Sequence, residues 1–254
     1  MTEVKALIVR APGTNRDEEM AFALDTAGAT STRIDLRELV IRPDPLKHYQ
    51  LLVFAGGFSY ADALGSGRIA ALELEPLKNS MRDFVENGHP ILGVCNGFQI
   101  LVRAGLLPGK GIDATLATNA RGYFECRWIH LDAPTSNCVW TEGLREPLFV
   151  PVAHGEGRFL ANDEHLIDLQ SSGQVALRYC DANGKAAHGM WPANPNGAVD
   201  DIAGICDETG LVLGLMPHPE DHVLTRQHPR RTRGETSGNA LPLFLNGVRA
   251  AAAA

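Results

Sequence analysis

Several features that would assign a chain to a specialised class are missing from this sequence of 254 residues. No run approaches the roughly 20 consecutive apolar residues of a membrane span. Residues 1–5 form no basic segment leading into an apolar stretch, as an export signal would. The 23 Lys and Arg are outnumbered by 30 Asp and Glu, and the formal net charge of -7 offers no general attraction to nucleic acid or anionic lipid. We therefore expect no nucleic acid and no membrane among the partners.

Closely spaced cysteine pairs are also missing. The number of cysteines is odd, and no two of them lie within ten residues of each other: Cys95, Cys126, Cys138, Cys180 and Cys206. This distribution fits neither a disulfide framework nor the ligand spacing of a zinc site. The sequence therefore predicts a cytoplasmic protein in a reducing compartment, with no metal site.

The composition is that of an ordinary globular protein, with 44% hydrophobic, 6% aromatic and 21% charged residues. At roughly 150 residues per domain, the length allows one large domain or two small ones. No stretch resembles a linker between two domains. We expect residues 1–254 to form a single domain.

Short apolar runs alternate with amphipathic stretches along much of the chain. Val4–Val9, Leu51–Phe54 and Pro90–Val94 have the length and branched residues of buried strands, and Ser31–Asp35 is a further predicted strand. After the first run, Asn15 is placed to cap a helix. This alternation predicts an α/β fold with a parallel, doubly wound sheet.

The second half of the chain departs from that pattern. Residues from Ala117 to Val150 show strand-like alternation interrupted by turns, which predicts an antiparallel excursion at the edge of the sheet. Val175–Tyr179 and Val212–Met216 are two further predicted strands.

The strongest local motif is Gly93-Val94-Cys95-Asn96-Gly97, which follows a predicted buried strand and begins a helix. Glycines flank the nucleophile in G-x-S-x-G because the sharp strand-to-helix turn leaves no room for side chains. A helix N-terminus also stabilises a thiolate, which increases the reactive fraction of the cysteine. The motif makes Cys95 a candidate nucleophile, although for this pentapeptide alone a small buried cysteine in a glycine-rich turn is the more common interpretation.

A thiol nucleophile requires a base, and Met216-Pro217-His218-Pro219-Glu220 offers one at the end of the last predicted strand. Two prolines restrict the backbone around His218, and Glu220 is placed to accept the other ring N–H. We therefore predict a Cys95, His218, Glu220 triad. A surface histidine in a proline-rich loop is the alternative for His218 taken alone.

A Gly-Gly turn directly follows the strand at Leu51–Phe54. The backbone N–H groups of Gly57 and Phe58, together with that of Asn96, are placed to form an oxyanion hole. A plain strand exit is the alternative. Gly65 to Ala70 matches G-x-G-x-x-A without following a predicted strand, and we predict no nucleotide site in this chain.

Taken together, these motifs resemble those of the class I (triad) glutamine amidotransferases, in which Cys precedes a late His-x-Glu. Three further motifs are similar to those of the glutaminase subunits of phosphoribosylformylglycinamidine synthase: residues 152–159, Ala193-Asn194-Pro195-Asn196-Gly197 and Gln227-His228-Pro229-Arg230. The resemblance runs from Lys5 to about Val248. It implies a flavodoxin-like three-layer fold.

The resemblance also implies an activity. Cys95 would attack the side-chain amide of L-glutamine, and the resulting thioester would be hydrolysed to glutamate. Gln99, His154, Gly155 and Glu156 match positions near glutamine in that family. Ammonia would pass to a large synthetase subunit that holds ATP and Mg, assisted by a small accessory subunit, so no cofactor is expected in this chain.

Two positions depart from the pattern of that family. Asn-Cys-Asp is common where Asn15-Arg16-Asp17 stands, and because that cysteine is outside the triad we expect Arg16 to have little effect. Tyr-Gly-Asp is common where Tyr60-Ala61-Asp62 stands, which makes the backbone near the oxyanion turn less predictable.

Two rival functions remain open at this point. A stand-alone thiol γ-glutamyl hydrolase would use a similar nucleophile with water as its only acceptor. An inactive binding or regulatory module would be expected to lack Cys95, His218 or Glu220, and all three residues are present.

Overall fold

The computed structural model describes residues 3–254, in which strands and helices alternate. The strands are β1 (Val4–Arg10), β2 (Ala29–Asp35), β3 (Leu51–Phe54), β4 (Ile91–Val94), β5 (Ala114–Thr118), β6 (Glu125–Asp132), β7 (Leu148–His154), β8 (Glu156–Ala161), β9 (Val175–Cys180), β10 (Ile202–Cys206) and β11 (Val212–Leu215). The helices are α1 (Asp17–Thr26), α2 (Leu36–Ile41), α3 (Arg68–Leu74), α4 (Lys78–Glu86), α5 (Asn96–Arg103), α6 (Asp163–Ser171) and α7 (Leu241–Ala253). Within these residues, no helix is both long and apolar enough to cross a bilayer.

Nine strands form one mixed sheet in the order β2-β1-β3-β4-β11-β10-β9-β6-β7. The strands from β2 to β11 in this order run parallel to one another. From β10 to β7, each strand is antiparallel to the one before it. β5 and β8 form a separate antiparallel pair. The prediction of a parallel sheet with an antiparallel edge is confirmed.

The centre of the sheet is covered on both faces. Every residue of β3, β4 and β11 is buried, which a parallel strand achieves only when helices pack on both sides of it. One group of helices contains α1 and α7, which contact each other, and α7 also contacts β1 and β3. A second group contains α2, α3 and α5, and α5 contacts β3, β4 and β11. The expected three-layer fold is confirmed.

The structure differs from the sequence-based expectations in details. Helix α1 begins at Asp17, with Arg16 in the N-cap position and no side-chain cap, so the predicted cap at Asn15 is wrong. The backbone N–H of Asn15 instead donates to the carbonyl of Gly56 over 3.3 Å. β8 and β10 are additional strands that the sequence patterns do not indicate.

Candidate active site

Two neighbouring parallel strands, β4 and β11, place the predicted nucleophile and base at one edge of the sheet. β4 ends at Val94, directly before Cys95, and β11 ends at Leu215, shortly before His218. Val94 and Leu215 are register partners, and the Cys95 N–H donates to the Leu215 carbonyl over 2.8 Å. Strand pairing therefore brings together two motifs that are far apart in the sequence.

Cys95 occupies a sharp turn between β4 and α5. Its backbone φ of 53° and ψ of -108° lie in a region that residues with a Cβ rarely adopt. A Cβ on Gly97 would lie only 2.0 Å from the carbonyl oxygen of Phe54, so only glycine allows β3 to pack against this turn. The turn directs the thiol of Cys95 toward a cavity at the end of the sheet. This geometry is that of a nucleophile elbow.

His218 and Glu220 form a buried pair. The Nδ1 atom of His218 lies 2.6 Å from Oε1 of Glu220, and the two residues are 2% and 0% exposed. The His218 N–H donates to the carbonyl of Pro151 over 2.8 Å, which fixes the backbone of this segment. A Cβ on Gly56 would lie 2.8 Å from Cε1 of His218 and 3.4 Å from Cβ of Cys95. The structure therefore brings the three residues of the predicted triad together beside Gly56.

The electrostatics of this cluster favour a charged imidazole. Burial lowers the pKa of His218, but the Glu220 carboxylate and the Cys95 thiol raise it by more, and the net pKa lies well above the ordinary 6.5. His218 is therefore suited to accept and hold a proton beside Cys95. In contrast, burial and the nearby charge of His218 lower the pKa of His154 to about 3, so His154 is neutral at physiological pH.

The cavity above Cys95 has a volume of about 330 Å³. Besides Cys95, six residues predicted from the sequence line it: Gly57, Phe58, Gln99, His154, Gly155 and Glu156. Asp62 also lines the cavity, and burial raises the pKa of this carboxyl, with a further increase from the charge of Glu156. Two acidic side chains thus face a cavity whose floor carries the thiol.

The three predicted oxyanion donors differ in whether their N–H groups already donate to another protein group. The Phe58 N–H donates to the carbonyl of Gly13 over 2.9 Å, so the prediction that Phe58 supplies an oxyanion donor does not fit this conformation. The Gly57 backbone has a φ of 143° and packs closely against residues 13–15. Asn96 is the first residue of α5, where helical N–H groups lack an intrahelical acceptor. The predicted donors that remain are the N–H groups of Gly57 and Asn96.

The side chain of Gln99 supports the cavity wall. Its Nε2 donates to the backbone carbonyl of Glu156 over 2.8 Å, and its Oε1 accepts from Nδ2 of Asn96 over 3.1 Å. Both ends of the amide are thus engaged with protein groups. Gln99 lies where the sequence predicts, but it contacts the cavity wall and the elbow in this conformation.

Asn119 is a site residue that the sequence motifs do not indicate. Its Nδ2 donates to the His154 carbonyl over 2.8 Å, its Oδ1 lies 3.1 Å from Nδ1 of His154, and its N–H donates to the Gly155 carbonyl over 2.9 Å. Asn196, from the Ala193–Gly197 motif, donates to the carbonyl of Gly157 over 2.9 Å. These two asparagines hold the turn that contains His154 and Gly155. Their types alone indicate only turn chemistry.

Known proteins with similar sequences cover nearly the whole chain. The phosphoribosylformylglycinamidine synthase subunit PurQ of Treponema denticola is 42% identical over 263 residues, which span 96% of this chain and 97% of that protein. The protein of the same name from Dehalococcoides mccartyi is 44% identical over 256 residues and 98% of each chain. Among solved structures, a chain of PurLQS from Thermotoga maritima aligns with a TM-score of 0.75 and 30% identity, over 98% of both chains.

The family assignment agrees with this geometry. Residues 3–249 match the model of the CobB/CobQ-like glutamine amidotransferase domain, which includes the elbow at Cys95 and the His218 segment. The similar proteins above cover both segments as well. The chain belongs to the CobB/CobQ-like glutamine amidotransferase family.

Proposed function

We propose that this chain is the glutaminase subunit of a phosphoribosylformylglycinamidine synthase, which hydrolyses L-glutamine and delivers ammonia to a synthetase subunit. The observation that carries the proposal is the buried cluster of Cys95, His218 and Glu220, in which Cys95 lines a cavity large enough for an amino acid. The names of the similar PurQ proteins and the PurLQS structure support the biosynthetic setting.

The first half of the reaction would form a thioester. The Nδ1 atom of His218 is occupied by Glu220, which leaves Nε2 to take the thiol proton of Cys95. The thiolate attacks the side-chain amide carbon of glutamine, and the carbon–nitrogen bond breaks as His218 returns the proton to the leaving nitrogen. Ammonia departs, and the γ-glutamyl group remains on sulfur.

The second half would reverse these roles. His218 takes a proton from water, which attacks the thioester carbon, and the sulfur leaves as glutamate forms. In both halves, negative charge develops on the former carbonyl oxygen. We assign its stabilisation to the N–H groups of Gly57 and Asn96, because the Phe58 N–H is bonded to the carbonyl of Gly13. Removing one oxyanion donor typically costs ~10² to 10³ in rate. Phe58 would contribute only after its peptide leaves the Gly13 carbonyl.

The acidic cavity wall suits the charge of the substrate. Glutamine carries an α-ammonium group, and the carboxylates of Asp62 and Glu156 are the acidic groups that line the cavity. We propose that this acidic wall receives the ammonium, with the turn at His154 and Gly155 held against glutamine by Asn119. Neutral His154 avoids placing a second positive charge beside the substrate.

The remaining components would lie outside this chain. ATP and Mg belong to the large synthetase subunit, which converts formylglycinamide ribonucleotide to the amidine, and a small accessory subunit completes the complex. We propose the cytoplasm as the location, since all five cysteines are free, as expected in a reducing compartment.

The rate of glutamate release in three states tests the proposal: the isolated chain, its complex with the synthetase and accessory subunits, and that complex with ATP and formylglycinamide ribonucleotide. We expect slow hydrolysis alone and an increase on the order of 10² in the loaded complex, the effect of one oxyanion donor. Equal rates in all three states, with the complex shown to form, would favour the stand-alone γ-glutamyl hydrolase.

A further inference from the structure

Arg16, in the loop between β1 and α1, contacts two separate parts of the candidate site. Its Nη1 atom lies 3.6 Å from Oδ1 of Asp221, the residue that follows Glu220, and 3.2 Å from Oε1 of Glu19. Its backbone N–H donates to the carbonyl of Gly56 over 3.2 Å. A single residue therefore connects the Gly-Gly turn with the segment that carries the acidic member of the triad.

The charges around Arg16 explain why a cation is needed there. Glu220 and Asp221 are consecutive carboxylates, and the Asp221 side chain is only 19% exposed. Burial and the charges of Glu220 and Glu19 raise the pKa of Asp221, those of His218 and Arg16 lower it, and the net pKa is about 6. Without Arg16, the carboxylates of Glu220 and Asp221 would repel each other in a largely buried environment, and the imidazole of His218 would be the cation that remains to balance them.

We propose that Arg16 and Asp221 form a positioning ion pair that holds the Glu220 segment against His218 and ties it to the turn at Gly56. The inference rests on the proposed glutaminase function. Arg16 is a positioning residue, since it acts through Asp221 and Gly56. Its side chain makes no cap bond to α1 but contacts Glu19 in the first turn, so melting curves must show that its replacement leaves the helix start intact. The expectation that Arg16 has little effect on the triad does not agree with this placement.

The test compares Arg16→Met and Arg16→Lys with wild type, each bound to the synthetase complex, by glutamate release between pH 5 and 9. A displacement of 1 Å costs ~10²-fold in rate, so we expect Arg16→Met to lower kcat by about 10- to 100-fold while KM changes little. Arg16→Lys should recover part of the loss, because lysine keeps the charge that faces Asp221.

The pH profile separates positioning from a merely structural effect. Arg16 lowers the pKa of Asp221, so the ionised pair persists to lower pH in wild type than it would without Arg16. An opposite charge at this distance is worth about one pKa unit or more. We expect the acid limb of kcat/KM to move up by about one pH unit in Arg16→Met. Adding Asp221→Asn removes the titrating carboxyl, and the shift should disappear.

Arg33→Met is the matched control. Arg33 pairs with Asp17 over 3.5 Å and with Glu18 over 3.2 Å, on the same helix as Glu19. This variant should keep the wild-type kcat and acid limb, and melting curves verify that every variant folds. A folded Arg16→Met with wild-type kcat and acid limb would overturn the proposal, as would equal losses in Arg16→Met and Arg33→Met. A wild-type complex that releases no glutamate would instead overturn the proposed function itself.

Discussion

An alanine at position 56 would test whether His218 and Cys95 adjoin each other beside the Gly-Gly turn. The new Cβ would lie 2.8 Å from Cε1 of His218 and 3.4 Å from Cβ of Cys95. Carbon atoms in contact stay about 3.5 to 4.0 Å apart, so the imidazole must move by roughly 0.7 to 1.2 Å. Misplacement by about 1 Å costs on the order of 10²-fold, and we expect Gly56→Ala to lower kcat by about that factor with every catalytic group present.

The assay is glutamate release by the synthetase complex, with the melting temperature of each variant measured in parallel. Gly28→Ala is the control, because Gly28 has a φ of +95° and no heavy atom within 4 Å of the added Cβ. Alanine there strains the backbone by about 1 to 2 kcal/mol without touching the site. We expect Gly28→Ala to melt earlier and keep its kcat. A folded Gly56→Ala with more than half of the wild-type kcat would refute the inferred arrangement of His218 and Cys95.

Three further predictions concern the catalytic groups. Cys95→Ser should abolish hydrolysis with an unchanged melting curve, because a hydroxyl is a far weaker nucleophile than a thiolate, and residual activity above about a tenth of wild type would remove Cys95 from its role. Glu220→Gln should be milder than His218→Ala, since it weakens the 2.6 Å contact without removing the proton carrier, and the reverse order of kcat would contradict the assignment. A diazoketone analogue of glutamine should label Cys95, and glutamine should protect it. Peptide mapping that finds comparable labelling of the exposed Cys126 would indicate general thiol reactivity.

Much of the fold can be predicted from local patterns because its central strands are continuous apolar runs. β1, β3 and β4 each consist largely of branched residues between turns, and their burial on both faces makes such runs necessary. β10 is harder to recognise, since Ile-Ala-Gly-Ile-Cys follows two aspartates and contains a glycine. It pairs with the adjacent β11 in an antiparallel hairpin and, through an irregular register, with the more distant β9.

The residues of the candidate site likewise fall into those that local motifs indicate and those that depend on distant contacts. Cys95 and His218 lie in motifs whose glycines and prolines are adjacent in the sequence, so their roles as nucleophile and base can be predicted from those motifs. The roles of Asn119 and Arg16 depend on contacts with distant segments, and nothing in their own neighbourhoods indicates those contacts. The engaged N–H of Phe58 likewise depends on the approach of Gly13, which only the packed structure specifies.

The direct pairing of β4 with β11 has a consequence for how this protein can change. Backbone hydrogen bonds keep paired strands about 4.8 Å apart whatever their side chains are. The sheet therefore sets the spacing of the two strand ends, and the hydrogen bond from the His218 N–H to the carbonyl of Pro151 in β7 fixes the base beyond β11. Between β4 and β11 in the chain, the connections that touch neither Pro151 nor the cavity can therefore lengthen or shorten over evolution while the catalytic distance stays the same.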